Sequence, residues 1–232
     1  MSVQNRPSPR LPSASRRSPA SGRGYAVKEC FLTLQGEGMQ SGSRAVFLRF
    51  AGCNLWSGRE ADRASAQCTF CDTDFVGTDG EGGGKFGGAE ELAAHVERLW
   101  GEGRKDRLVV ITGGEPMLQL DEALVEAMHA RGFRVAVESN GTLPATAGID
   151  WLCISPKAGT AVVQRSGNEL KLVWPQAGID PADLEGWAFD HFLVQPMDCE
   201  QRAKALDAAI GLAMERPKWR LSLQAHKVIG LP

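Results

Sequence analysis

The sequence predicts an α/β fold: an abbreviated, partial TIM-like (β/α) barrel of mostly parallel strands with few helices. Short apolar strand patterns alternate along the chain with helical patterns, and this alternation is typical of parallel βαβ units. Polar or glycine-rich motifs follow nearly every predicted strand, as they do at the catalytic rim of barrels. The 232 residues hold too few helical segments for eight complete βα units, so we do not expect a closed barrel.

The first predicted elements are two strands, a loop and a helix. Residues 25–34 alternate in polarity and residues 44–50 are β-branched and aromatic, so both segments are predicted strands. Residues 76–88 include seven glycines and are predicted to form a flexible loop. Residues 89–100 are predicted to form a helix because their apolar side chains share one face. Those side chains are Leu92, Val96 and Leu99.

The remaining elements continue the alternation of strand and helix. Residues 108–112 form a continuous apolar run, which is typical of a parallel strand buried on both faces. A helix over residues 118–131 and a strand over residues 134–139 are predicted to follow. The last predicted helix covers residues 200–215. Four more short strands are predicted at residues 151–155, 170–174, 191–195 and 219–223.

The charge divides the chain into two parts. Residues 1–24 carry five arginines, no acids, four prolines and six serines, so the net charge of −2 splits into +5 there and −7 over residues 25–232. We expect a disordered basic tail or leader over 1–24, with a nucleic-acid-binding arm as the alternative. Residues 25–232 are expected to form a single catalytic domain. Its mildly acidic charge argues against nucleic acid as a partner, and no apolar run is long enough to predict a membrane span.

Three clustered cysteines carry the strongest chemical signal. Cys68 and Cys71 lie in the pattern C-T-F-C, and fourteen residues separate Cys53 from Cys68. Three thiols without a histidine suit a 4Fe–4S cluster with one open iron better than structural zinc, which usually has four protein ligands. A zinc-binding module remains the alternative. The other cysteines are expected to be small buried side chains, and they are Cys30, Cys153 and Cys199.

Polar motifs after the strands predict one shared site. The carboxyl ends of parallel strands meet at one rim of a barrel, and functional residues gather there. Six such motifs follow the predicted strands, namely LQGEG (34–38), GC (52–53), TGGEP (112–116), ESNG (138–141), SPK (155–157) and QPMD (195–198). We therefore expect them to converge.

The cysteines, the aromatic Phe70 before Cys71, and the GGEP motif together resemble the radical S-adenosylmethionine superfamily. The usual spacing in that superfamily places three residues between the first two cysteines, so this chain departs from it. The motifs LQGEG, CDT (71–73), TGGEP, SPK and QPMD, with Arg49 and the terminal HKVIGLP, are similar to one branch, the 7-carboxy-7-deazaguanine synthases. The resemblance covers residues 27–232, and the expanded cysteine loop also occurs in that branch.

The resemblance implies a lyase that converts 6-carboxy-5,6,7,8-tetrahydropterin to 7-carboxy-7-deazaguanine, a magnesium-dependent radical ring contraction with loss of ammonia in queuosine and 7-deazapurine biosynthesis. The implied cofactors are a 4Fe–4S cluster, S-adenosylmethionine and Mg²⁺, with a flavodoxin or ferredoxin as electron donor. The uncovered edges of an incomplete barrel predict a homodimer, and the cysteine usage predicts a cytoplasmic enzyme. Another small radical S-adenosylmethionine enzyme, such as a glycyl-radical activase, is the alternative.

The resemblance also assigns roles to residues. The cluster ligands would be Cys53, Cys68 and Cys71, and the magnesium ligand would be Thr73. The residues that bind S-adenosylmethionine would be Phe70, Asp72, Gly114, Glu138, Ser155, Lys157, Gln195, Pro196, Met197 and Asp198. The residues that bind the substrate would be Leu34, Gln35, Gly36, Glu37, Arg49, Thr112, His226 and Pro232.

Overall fold

The structure is a computed structural model that describes residues 24–231. Two expectations fall on residues outside that range. Residues 1–23, which make up all but one residue of the expected basic tail, lie outside the described residues, and so does Pro232, which was expected to contact the substrate.

Nine strands form one sheet in the order β3-β1-β2-β4-β5-β6-β7-β8-β9. Strand β2 and strands β4 to β9 run parallel to one another, whereas β1 pairs antiparallel with both of its neighbours, β2 and β3. The sheet stays open, which confirms the predicted partial barrel of mostly parallel strands. The strands are β1 (Tyr25–Leu34), β2 (Arg44–Phe50), β3 (Gly84–Phe86), β4 (Leu108–Gly113), β5 (Arg134–Ser139), β6 (Trp151–Ile154), β7 (Ser166–Trp174), β8 (Ala188–Pro196) and β9 (Trp219–Leu221).

Five α-helices accompany the sheet in the described part of the chain. They are α1 (Ala89–Trp100), α2 (Glu122–Ala130), α3 (Pro181–Leu184), α4 (Arg202–Glu215) and α5 (Ala225–Ile229). Three short 3₁₀ turns lie at Gly38–Gln40, Glu60–Ser65 and Pro116–Leu118. No helix within residues 24–231 is both long and apolar enough to span a membrane.

Some predicted boundaries were wrong. The glycine-rich segment 76–88 contains strand β3, because its backbone pairs with β1 from Tyr25↔Phe86 onward. The helix predicted from residue 118 begins at Glu122, since the Asp121 carboxylate accepts from Leu124 N at 3.0 Å and caps the helix there. The short helices α3 and α5 were not predicted. Cys199 is exposed rather than buried, whereas the other two cysteines expected inside the protein are buried, namely Cys30 and Cys153.

The sheet separates a hydrophobic core from a polar face. Leu48, Ile111 and Val137 lie side by side on β2, β4 and β5, and all three are fully buried in the core beneath the helices. Each such side chain contributes roughly 1.5–3 kcal/mol when removed from water. The next residues along β2 and β4, Arg49 and Thr112, pair with each other and face the opposite side. Alternation along the strands therefore places the polar predicted residues together.

Candidate active site

A cleft of about 410 Å³ reaches the carboxyl ends of the parallel strands. Every predicted site residue within residues 24–231 lines it: the three clustered cysteines, Thr73, all ten residues assigned to the cofactor and all those assigned to the substrate except Pro232. The predicted residues therefore share one cleft, but not one rim: LQGEG follows the antiparallel strand β1 and begins beside Arg44, at the amino end of β2. Two groups of residues in the cleft make different contacts: the cysteine side, with Cys53, Cys68 and Cys71, and a network around Lys171.

The cysteine side is built from loops. Cys53 follows β2, and its Sγ accepts from Leu55 N at 3.4 Å. Burial raises the pKa of the Cys53 thiol and of the Cys68 thiol, and the charge of Lys157 only partly opposes this at Cys68. Both groups are therefore protonated at neutral pH when no metal is bound. Because thiolates are the metal ligands, metal binding at these residues releases protons.

The three thiols fit an iron–sulfur cluster. They line one cleft, and thiolate sulfur is the ligand that such clusters take. Within residues 24–231, no three His, Cys, Asp or Glu side chains lie close enough together to hold one metal ion. A cluster bonds each thiolate through a different iron, so its ligands need not converge on one point. The arrangement matches a cluster better than a single zinc ion.

The glycines of the GGEP motif have a packing role beside the cysteines. A Cβ at Gly114 would lie 2.3 Å from Gly52 O and 2.6 Å from Cys53 Cβ. The next residue, Glu115, donates its N–H to Gly52 O at 3.0 Å. Any side chain at Gly114 would therefore displace the loop that carries Cys53. Gly114 was expected to bind the cofactor, and this close backbone packing is a separate reason for a glycine there.

Glu115 links the ends of β4 and β5. This fully buried carboxylate accepts from Ser139 Oγ at 2.8 Å, from Asn140 N at 2.8 Å and from Met117 N at 3.0 Å. Burial raises its pKa, and the three hydrogen bonds oppose that shift. Sequence reasoning treated Glu115 only as part of a turn motif. Its contacts show that it fixes two strand ends beside the cleft.

Lys171 is the centre of a polar network on another side of the cleft, formed with Glu37, Glu138, Gln35 and Gln224. This residue of β7 is 3% exposed, and its Nζ donates to Glu37 Oε2 at 2.5 Å and to Glu138 Oε2 at 2.7 Å. Gln35 Nε2 donates to Glu138 Oε1 at 2.9 Å, and Gln224 Nε2 donates to Glu37 Oε1 at 2.9 Å. Sequence reasoning missed this lysine, since it lies within the apolar run LKLVW.

The charges on this side stabilise one another. Burial alone would raise the pKa of Glu37, but the charge and hydrogen bond of Lys171 outweigh burial and lower that pKa to about 2. Burial likewise disfavours the charged lysine, yet the carboxylates of Glu138 and Glu37 raise the pKa of Lys171 well above its ordinary value. Glu138 was expected to accept from the cofactor. Its two oxygens accept from Gln35 and Lys171, so it belongs to the same network as Gln35 and Glu37, which are expected to bind the substrate.

Lys157 lies between the cysteines and the end of β6. Its Nζ donates to the carbonyl oxygen and to Oγ of Ser155, each at 2.7 Å, and lies 5.9 Å from the centre of the Phe70 ring. Burial lowers the pKa of Lys157, and the nearby thiols of Cys68 and Cys71 oppose that shift. The structure thus brings together three of the residues expected to bind the cofactor.

Helix α5 closes another part of the cleft. Lys227 Nζ bridges the Asp72 and Asp198 carboxylates at 2.7 Å and 2.6 Å. Burial would raise the pKa of Asp72, but the hydrogen bond and charge of Lys227 lower it. His226 packs on Gly36, where a Cβ would lie 2.1 Å from His226 Nδ1. Sequence reasoning missed Lys227, although the HKVIGLP motif contains it.

The wall near Arg49 combines charge with aromatic surface. Arg49 Nε donates to Glu29 Oε1 at 2.6 Å, so a residue that was not predicted orients the guanidinium. Phe31 and Phe47 stack with their ring centroids 5.9 Å apart and line the same cleft. This wall offers a flat apolar surface beside a cation, which suits a flat ring that carries a carboxylate.

Comparisons with known proteins agree on one relationship. Residues 62–171 match a family model described as the Radical SAM superfamily. A 7-carboxy-7-deazaguanine synthase of Caulobacter vibrioides is 62% identical over 208 residues, and one of Bordetella pertussis is 61% identical over 208 residues. Both alignments cover 90% of this chain and 99% of the relative. The crystal structure of QueE from Escherichia coli, at 28% identity, gives a TM-score of 0.66 and covers 88% of this chain and 95% of that chain.

Proposed function

This chain belongs to the 7-carboxy-7-deazaguanine synthase family of radical S-adenosylmethionine enzymes, and we propose that it converts 6-carboxy-5,6,7,8-tetrahydropterin to 7-carboxy-7-deazaguanine with loss of ammonia. It is thus a lyase of queuosine and 7-deazapurine biosynthesis. The observation that carries this proposal is the convergence of the predicted residues on one cleft. Relatives at 61% and 62% identity favour this reaction over that of a glycyl-radical activase or a zinc-binding module.

Cys53, Cys68 and Cys71 would hold a 4Fe–4S cluster, with S-adenosylmethionine on the iron that the protein leaves open. When bound, the cluster and S-adenosylmethionine supply the one-electron chemistry that starts the reaction. The residues of the chain position and shield that chemistry. Lys157 and Ser155, already joined by hydrogen bonds, support a binding surface for the cofactor near Phe70. The QPMD segment faces the same cleft and would complete that surface.

Glu37, Glu138 and Gln35 would recognise the edge of the pterin ring. A pterin presents N–H donors along one edge, and ionised carboxylates accept hydrogen bonds strongly. Lys171 keeps Glu37 ionised at any physiological pH. Gln35 holds a second contact with Glu138, so these acceptors are fixed before the substrate binds.

Arg49 would bind the carboxylate of the substrate, and Glu29 would orient the guanidinium for it. Thr112 pairs with Arg49 across β2 and β4 and faces the same cleft. His226 would contact the substrate from α5, where it packs on Gly36. Leu34 would add apolar contact at the end of β1.

Thr73 would bind Mg²⁺ through its hydroxyl. Magnesium prefers oxygen ligands and retains several waters, so one protein hydroxyl and the oxygens of the substrate would suffice as its other ligands. The neighbouring Asp72 is already paired with Lys227 and would act only through a water.

The proposal extends to the partners of the enzyme. A flavodoxin or ferredoxin would donate the electron, and the open edges at β3 and β9 support a homodimer. Residues 25–232 would form one catalytic domain, with residues 1–24 as a basic leader. The enzyme would work in the cytoplasm, where thiols stay reduced and free to bind iron.

One assay tests the proposed function. The protein is reconstituted anaerobically with iron and sulfide and incubated with the carboxylated pterin, S-adenosylmethionine, a chemical reductant and Mg²⁺. We expect a brown protein that forms 7-carboxy-7-deazaguanine and releases ammonia. A colourless protein that retains stoichiometric zinc, or a cluster-bearing protein that cleaves S-adenosylmethionine without consuming the pterin, would overturn the proposal.

A further inference from the structure

We propose that Arg63, in the insert between Cys53 and Cys68, is a positioning residue that clamps the Cys68–Cys71 loop and places a positive charge beside it. The clamp would slow the loss of the cluster, and the charge would raise its reduction potential. This inference rests on the proposed cluster, and it gives the unusual insert a physical role.

The insert is an ordered substructure. It contains the 3₁₀ turn Glu60–Ser65 and the buried Trp56, whose ring meets that of Phe75 edge-on with centroids 5.6 Å apart. Gln67 N and Cys68 N both donate to Leu55 O, at 3.1 Å and 3.4 Å. The two ends of the insert are therefore tied together, and the segment between them folds back over the cysteine loop.

Arg63 connects this substructure to the loop. Its Nη1 donates to Thr69 O at 2.9 Å and to Cys71 O at 3.1 Å. Its Cζ lies 4.1 Å from the centre of the Trp56 ring, and its Nε donates to both carboxylate oxygens of Glu60 at 2.9 Å and 2.8 Å. One guanidinium thus spans the turn of the C-T-F-C pattern while two other contacts fix its own position.

These contacts give the side chain two effects on a cluster. Hydrogen bonds to the backbone of ligand residues hold those ligands in place, and such outer contacts are worth about 10–100-fold in metal affinity or activity. A cation near a cluster also stabilises the reduced form, because reduction adds negative charge. Glu60 offsets this charge only in part, since its side chain is 77% exposed and well screened by water, whereas that of Arg63 is 29% exposed.

Arg63 and Lys157 flank the loop as two cations. Lys157 Nζ lies 5.9 Å from the centre of the ring of Phe70, which is part of the Cys68–Cys71 loop. Lys157 belongs to the proposed cofactor surface at the end of β6, whereas Arg63 reaches the loop from the insert. The chain therefore supplies positive charge to the loop from two separate elements.

The test compares Arg63→Gln with Arg59→Gln. Arg59 is an exposed arginine of the same insert and does not donate to the Thr69 or Cys71 carbonyl, so its variant has the same change in charge without loss of the clamp. Metal-free proteins are compared by hydrogen–deuterium exchange at residues 69–71. Reconstituted proteins are compared by the rate of iron loss to a chelator and by the midpoint potential of the cluster.

We expect Arg63→Gln to expose the loop amides to faster exchange, to lose iron about tenfold faster than Arg59→Gln, and to have a lower midpoint potential. Arg63→Lys keeps the positive charge but loses the fork of guanidinium donors. It should therefore have the midpoint potential of the unsubstituted protein but lose iron as fast as Arg63→Gln. If Arg63→Gln and Arg59→Gln match in exchange, iron loss and potential, the inference is wrong. Failure of the proposed function would look different, because the unsubstituted protein would then hold no cluster or leave the pterin intact.

Discussion

The two sides of the cleft are stabilised in different ways. The substrate side is the network of Lys171 with Glu37 and Glu138, and these charged residues are paired before any ligand arrives. The cysteine side rests on loops, and burial keeps its Cys53 and Cys68 thiols protonated in the absence of metal. The protein alone therefore completes the substrate side, whereas metal binding completes the cysteine side.

The chemistry of carboxylates and thiols explains why the two sides are stabilised differently. A buried carboxylate without a partner is costly, so acceptors for a polar substrate must carry their counter-charge with them. A thiolate that was ionised before the cluster formed would be open to oxidation and to binding of the wrong metal. Neutral thiols that ionise only on binding iron avoid that problem.

Cys68→Ala should abolish cluster assembly while leaving the metal-free protein folded. The side chain is small, so we expect the free energy of unfolding without metal to change by less than about 1 kcal/mol. Iron and sulfide content after anaerobic reconstitution and urea denaturation of the metal-free protein provide the two measurements. Cys199→Ala serves as the control, since Cys199 is exposed and should not affect iron binding. Normal iron content in Cys68→Ala would remove Cys68 from the ligand set.

Lys171→Met should destabilise the fold but leave cluster assembly intact. It leaves the Glu37 and Glu138 carboxylates without their shared cation, and breaking a buried ion pair on one side costs about 3–5 kcal/mol. We expect the free energy of unfolding to fall by that amount while the substituted protein, where folded, still assembles a cluster. Lys204→Met, at an exposed position of α4, is the matched control. A loss no larger than that of the control would show that the network adds nothing to stability.

The substrate side should also determine acid stability. The pKa of Glu37 is about 2 in the folded protein, below its ordinary value of 4.5. Its ionised form therefore stabilises the fold fully above the ordinary value, and this contribution is lost as pH falls from 4.5 towards 2. Unfolding measured across that window should show a shallower loss of stability for Glu37→Gln than for the unsubstituted protein. Parallel curves would contradict the coupling between Glu37 and Lys171.

Thr73→Ala should weaken the response to Mg²⁺ and leave the cluster intact. We expect the Mg²⁺ concentration for half-maximal activity to rise by at least about tenfold, since even outer-shell partners of metal ligands are worth that much. Thr73→Ser keeps the hydroxyl and should behave like the unsubstituted protein. Titration of activity with Mg²⁺ at constant iron content makes the comparison, and an unchanged response in Thr73→Ala would exclude Thr73 as a ligand.

Sequence patterns predicted the features that depend on local signals. Apolar runs placed most strands within a few residues, and motifs at the strand ends identified residues that share one cleft. Two cations of the cleft, Lys171 and Lys227, were missed, because their partners are distant in sequence. Lys171 lies 134 residues from Glu37, and Lys227 lies 155 residues from Asp72. Only the tertiary fold brings such pairs together, and a single sequence does not reveal them.

Hydrogen–deuterium exchange with and without the cluster tests the contrast most directly. In the metal-free protein, the amides of β7 around Lys171 should already be as strongly protected as in the reconstituted protein. The amides of residues 68–71, which the Arg63 contacts protect only in part, should gain further protection when iron and sulfide are bound. If β7 became protected only on cluster assembly, or if residues 68–71 were equally protected in both forms, the division into a prepared substrate side and a metal-completed cysteine side would be wrong.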